Sequence, residues 1–97
     1  MLRHIVLLTL KAETPPETAA TIAEALRMPP AQIPCIRGHE VGVDLGLSPG
    51  NATIGVVARF EDEAGFREYQ EHPAHLAVID TLIMPVRESR TAIQVEL

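Results

Sequence analysis

Leu2 to Leu10, Leu-Arg-His-Ile-Val-Leu-Leu-Thr-Leu, limits what this chain can become more than any other stretch, because it is apolar on both sides of an extended strand. Its shortness and its Ile and Val content favour strand over helix. The two-residue period puts Leu2, His4, Val6, Leu8 and Leu10 on one face and Arg3, Ile5, Leu7 and Thr9 on the other. Such a strand needs cover on both sides. The 97 residues make one domain, 1–97, and a chain of that size buries roughly 65% of its unfolded surface, so its core is modest. One layer of helices covers one face of a sheet. A second copy of the chain is the natural cover for the other, and a homodimer is predicted.

The remaining elements follow from local signals. Thr14-Pro15-Pro16-Glu17 offers an N-cap in Thr14, prolines suited to a first helical turn and an acid at the positive end of the helix. Ala19, Ile22, Ala23 and Leu26 form one stripe, and the helix stops before Pro29-Pro30. Met28 to Gly38 holds three prolines and reads as an ordered loop. A strand over 36–45 alternates Val41, Val43 and Leu45 against Glu40 and Asp44, a turn covers Gly46 to Asn51, and a strand over 53–60 sets Ile54, Val56, Ala58 and Phe60 on one face. Asp62 is placed to cap a short helix with Phe66 and Tyr69 on one side. Pro73 opens a further helix, with Leu76, Ile79, Leu82, Ile83 and Val86 at apolar spacing, that ends at Met84-Pro85. Thr91, Ile93, Val95 and Leu97 alternate as a last strand. The order strand, helix, strand, strand, helical region, strand is the split βαβ pattern of a ferredoxin-like α+β fold. Two such sheets face to face enclose a space, and a small-molecule site is expected there.

Thirteen acidic residues against eight basic ones give a net charge of −5, which opposes phosphate backbones and anionic membranes. With one Tyr and no Trp there is little to stack on bases, so neither nucleic acid nor membrane is an expected partner. Glycines 42, 46, 50 and 55 do not form a phosphate loop. The single Cys35 cannot form an internal disulfide and has no neighbour that would lower its pKa. The apolar run that Lys11 ends is shorter than the core of a secretory signal, and a cytoplasmic protein is expected.

Phe66 to His75 reads Phe-Arg-Glu-Tyr-Gln-Glu-His-Pro-Ala-His and gathers the one tyrosine with two of the four histidines. Because Pro73 suits a first helical turn, His75 is expected near a helix N-terminus, where partial positive charge disfavours imidazolium and leaves a neutral proton acceptor. Tyr69, six residues earlier, either anchors its helix in the core or supplies a phenol to the same cavity as an acid/base partner. His4 is either a hydrogen-bonded core histidine or part of the cavity wall. His72 either caps the turn or meets substrate. His39, on a strand with acids nearby, reads as exposed. His72, His75 and Glu71 lie close in sequence, but Pro73 breaks the helical spacing and no second cluster supplies ligands, so neither metal nor cofactor is expected.

Arg3-His4-Ile5-Val6-Leu7-Leu8, Gln32-Ile33-Pro34-Cys35-Ile36 and Tyr69-Gln70-Glu71-His72-Pro73-Ala74-His75 resemble the stress-responsive A/B barrel domain family, often called Dabb, over almost the whole chain. The resemblance implies a ferredoxin-like subunit that pairs through its sheets into a dimeric α+β barrel. The family includes a plant polyketide cyclase that performs an intramolecular aldol condensation without metal or cofactor. Its catalytic tyrosine, the histidine of its His-Pro-Ala-His and its N-terminal pocket histidine match Tyr69, His75 and His4.

The expected function is a cofactor-free acid/base enzyme, a cyclase, lyase or isomerase, acting on a small carbonyl or polyketide-like compound. His75, Tyr69 and His4 are its candidate catalytic residues and His72 a candidate substrate contact. The alternative is a non-enzymatic dimer that binds a small molecule or serves a stress response. A cofactor-free monooxygenase of the antibiotic-biosynthesis type fits less well, since such pockets usually hold Trp or Asn and this chain has no Trp.

Overall fold

The structure is a computed structural model that describes residues 1–28 and 33–97. Leu2–Leu10 forms the first strand, β1. It lies inside the sheet: on one side it pairs antiparallel with β3 (Ile54–Phe60), on the other with β4 (Arg87–Glu96), and β2 (Gly38–Val43) pairs with the far edge of β3. The order is β2-β3-β1-β4. Three helices cover one face, α1 (Pro16–Arg27), α2 (Glu63–Glu71) and α3 (Pro73–Val78), and α3 runs on into a π-helical turn, Ile79–Ile83. The fold is ferredoxin-like α+β, as the order of elements predicts.

The helix-covered face is filled by alternate residues of the central strands. Val6, Leu8, Leu10, Ile54 and Val56 meet Ala19, Ile22 and Leu26 of α1 and Ile83 of the π turn in one cluster. Ala58 and Phe60 meet Ile33, Phe66 and Tyr69 in a second. The stripe expected on α1 is the set of residues it buries, Ala19, Ile22, Ala23 and Leu26. Asp62 caps α2 as predicted, its carboxylate accepting from the Gly65 N–H at 2.9 Å.

Several boundaries differ from expectation. Thr14 does not cap α1; the cap position is Pro15, in extended conformation and with no side-chain bond, so the helix start rests on proline geometry alone. β2 is shorter than 36–45, because Ile36 closes a turn onto the Ile33 carbonyl. β4 starts at Arg87, four residues before the first alternating residue, with a register shift between Arg87 and Ser89 opposite Leu10 and Thr9. Of the loop predicted over Met28 to Gly38, Pro29, Pro30, Ala31 and Gln32 lie outside the described residues. Within Ser48-Pro49-Gly50-Asn51, Gly50 adopts φ +82°, which the turn after a proline requires and only glycine takes readily.

Candidate active site

Strand register decides where the histidines go. His4 pairs with Ala58 on one side and Gln94 on the other, and Ala58 pairs with His39, so His39, Ala58, His4 and Gln94 form one row across the sheet. Cross-strand partners share a face. Ala58 belongs to the buried, helix-covered face, and His4 is therefore inside the subunit, only 3% exposed. Above the row, α2 supplies Phe66 and Tyr69, and α3 supplies His75. The His4 ring lies 4.9 Å from Phe66 and 6.1 Å from Tyr69, and Tyr69 lies 4.1 Å from His75, centroid to centroid.

His4, Tyr69 and His75 line one cavity of about 60 Å³ between the sheet and the helices. Its remaining wall is aliphatic, from Val6, Leu8, Ile79 and Ile83 among others, with Arg87 and Arg90 of β4 at its edge. This corrects the expected position. The three rings do not face a space between two sheets; they face the helical layer of their own chain. A cavity of that size suits a compact ligand or the tip of a longer one. A broader concavity of about 710 Å³ lies elsewhere, along β2, β3 and the loop joining them, and no His or Tyr lines it. The acid/base groups belong to the smaller cavity.

The electrostatics keep both imidazoles neutral. Burial, then the Arg90 guanidinium and the neighbouring His75, bring His4 down to about 4. His75 is likewise held at about 4, by burial first, then by Arg90, His39 and His72. Neutrality was expected from the helix N-terminus, and His75 is the third residue of α3; desolvation and the Arg90 cation act in the same direction. Burial pushes the Tyr69 phenol up to about 12, so it stays protonated, with Arg90 opposing the rise. The Gln94 side-chain nitrogen lies 2.9 Å from His4 Nδ1. An amide N–H donating there makes Nδ1 the acceptor and puts the ring proton on Nε2. His75 Nδ1 is buried without a hydrogen-bond partner among the described residues.

The other sequence candidates stand apart. His72 caps α3, its Nδ1 accepting from the Ala74 N–H at 3.1 Å, and does not line the cavity. His39 is half-buried rather than exposed: its Nε2–H donates to the Leu26 carbonyl at 2.6 Å, satisfying one of the free carbonyls at the end of α1. Cys35 is half-buried with its thiol pushed up by burial and by Glu68, away from thiolate chemistry. Arg87, Arg90 and Gln94 went unnoticed in the sequence. The signal that could find them is the β4 alternation, in which Arg90, Ala92 and Gln94 share the face opposite Thr91, Ile93 and Val95.

A four-stranded antiparallel sheet covered on one face by helices, with an imidazole–phenol cavity between the layers, defines a ferredoxin-like α+β domain. The chain belongs to the Dabb family, the stress responsive A/B barrel domain, whose pattern matches residues 2–97. Among solved structures it is similar to a dimeric ferredoxin-like protein of Thermobifida fusca, 38% identical, covering 99% of this chain and 90% of that one with a TM-score of 0.89. A dimeric ferredoxin-like protein of Bacteroides fragilis is 30% identical, with 99% and 95% covered and a TM-score of 0.85. The hydroxynitrile lyase of Passiflora edulis shares the fold at 19% identity, with 99% and 92% covered and a TM-score of 0.83. Comparison with curated proteins gives no match. No helix among the described residues is long and apolar enough to cross a membrane.

Proposed function

We propose that the protein is a homodimeric acid/base enzyme that works without metal or cofactor on a small carbonyl compound, by lyase, cyclase or isomerase chemistry, in the cavity within each subunit. The observation that carries this reading is the contact of a neutral imidazole with a protonated phenol, Tyr69 to His75 at 4.1 Å, at the wall of a cavity that His4 also lines. His75 has a buried ring nitrogen with no partner among the described residues, as a base awaiting a substrate proton would have. It removes the proton α to the carbonyl. Tyr69, protonated at neutral pH, donates to the oxygen on which enolate charge develops. His4, held by Gln94 with its ring proton on Nε2, orients the carbonyl or a water. Base and oxyanion donor each supply about two to four powers of ten in rate.

Dimerisation follows from the open face of the sheet, where Leu7 and Ile93 are about half exposed, and from the dimeric state of the Thermobifida and Bacteroides proteins. The small cavity favours a second reading, a dimer that only binds a compact ligand or none. Deuterium exchange separates the two. An enzyme of this kind incorporates deuterium from D2O at the α-carbon of a small β-keto acid, and His75→Ala and Tyr69→Phe slow incorporation by at least about a hundred-fold with the fold retained. Exchange at the buffer rate in the wild type, or unchanged rates in both variants, rejects catalysis by these residues.

A further inference from the structure

The seven arginines of the chain divide by their surroundings. Arg27, Arg37, Arg59 and Arg67 each pair with a glutamate, Glu24, Glu61, Glu40 and Glu63. Arg3, on the opposite face of β1 from His4, and Arg87 and Arg90 have no carboxylate partner among the described residues, although the chain carries thirteen acids. Arg87 and Arg90, unlike Arg3, line the cavity that His4, Tyr69 and His75 line, and no Asp or Glu among the described residues does. Pairing with Leu8 puts Arg90 on the helix-covered face, where an edge strand ordinarily turns apolar residues inward. The chain carries a net charge of −5, yet the described residues that line this cavity include two guanidiniums and no acid.

We infer that the cavity takes a ligand with a carboxylate group, gripped by the planar fork of Arg90 with Arg87 beside it, and that Arg90 sets this specificity. The inference rests on the proposed reading of the cavity as a small-carbonyl site and narrows it to carbonyl compounds that are also acids. A guanidinium fork matches the two oxygens of a carboxylate, and the aliphatic wall takes the carbon body. The arrangement also couples binding to basicity. His75 is faced by Arg90 from β4, His4 from β1, His39 from β2, Tyr69 from α2 and His72 at the start of α3, with Arg87 in the same cavity. Arg90 is a cation that holds His75 down. An anion paired with Arg90 cancels that field and makes the imidazole a better base once the substrate is in place.

The experiment follows the His4 and His75 imidazole resonances of 15N-labelled protein at low salt during titration with acetoacetate, with its neutral methyl ester and with inorganic phosphate. Acetoacetate is expected to move both resonances and to bind roughly ten- to a hundred-fold more tightly than the ester. Arg90→Gln erases that advantage without weakening the ester, and Arg90→Lys restores part of it. Equal affinity for acid and ester in the wild type overturns the carboxylate anchor and leaves the small-carbonyl reading standing. Phosphate binding as tightly as acetoacetate overturns it in favour of phosphate esters. If neither carbonyl probe moves either resonance, the inference and the reading beneath it both fall. Arg90 is exposed, so its variants are expected to fold.

Discussion

On the helix-covered face of the sheet, Val6, Leu8, Ile54, Val56, Ala58 and Phe60 are each at most 7% exposed, whereas on the opposite face of the same sheet Leu7 and Ile93 are 46% and 56% exposed. Ile5, Val57 and Val95 lie half-buried between them. The two faces are built from alternate residues of the same strands. One closes within the chain and carries the imidazoles and the phenol; the other stays apolar and open, as a face awaiting a second copy does. β4 shows the division most sharply. It turns Arg90 and Gln94 toward the helices and Ile93 and Val95 away from them, the reverse of an ordinary amphipathic edge strand. A strand that breaks the burial rule on the inside marks a site, and one that breaks it on the outside marks an assembly surface.

Substitution on the two faces should therefore cost different things. Phe60→Ala, at a position with no exposed surface, is expected to destabilise each subunit by about 3–5 kcal/mol in urea unfolding. Leu7→Glu on the open face should leave each subunit folded by circular dichroism and convert the proposed dimer to monomer by light scattering, with loss of only the stability that association supplies. A Leu7→Glu protein that remains dimeric would put the interface elsewhere and break the comparison.

Smaller, and specific to the inner face, is the response to acid. His4 and His75 have folded pKa values near 4, below the 6.5 of the unfolded chain. Well above pH 7 both states are neutral and no linkage arises. As pH falls below 6.5 the unfolded state takes up protons that the folded state refuses, so stability declines until the folded imidazoles themselves protonate near pH 4. Unfolding should take up as many as two protons from solvent onto these two residues in that window, with His39, also lowered by burial, adding part of another. Denaturation midpoints that stay level between pH 7 and 5 would contradict this burial.

Much of the architecture was legible in the sequence because the deciding signals are local. The period of β1, the stripe of α1, the Asp62 cap and the proline at the start of α3 each act over a few residues. His4, Tyr69 and His75 were also legible as a set, through the resemblance at Tyr69 to His75 and at the N-terminus. Which side of the sheet they occupy was not, because β1 is apolar on both faces and its period does not say which face the helices cover. That follows from pairing with β3, a long-range fact. The arginines escaped for a related reason: Arg87 and Arg90 precede the alternating apolar residues and look like a solvated approach to the strand until their pairing with Leu10 and Leu8 is known. The π turn has no sequence mark at all. It shows only as the Met84 N–H reaching the Ile79 carbonyl, five residues back, and it helps bring Ile79 and Ile83 to the cavity.

Proposed acid/base chemistry in this fold needs two imidazoles that stay uncharged beside a protonated phenol inside a single subunit. Long-range 15N–1H spectra of the histidine side chains, recorded from pH 8 down to the acid unfolding transition, read this directly. His4 and His75 are predicted to keep neutral-ring nitrogen shifts well below pH 6, with the His4 proton on Nε2. Midpoints near the 6.5 of a free imidazole for both residues would show solvent-exposed rings and contradict the account.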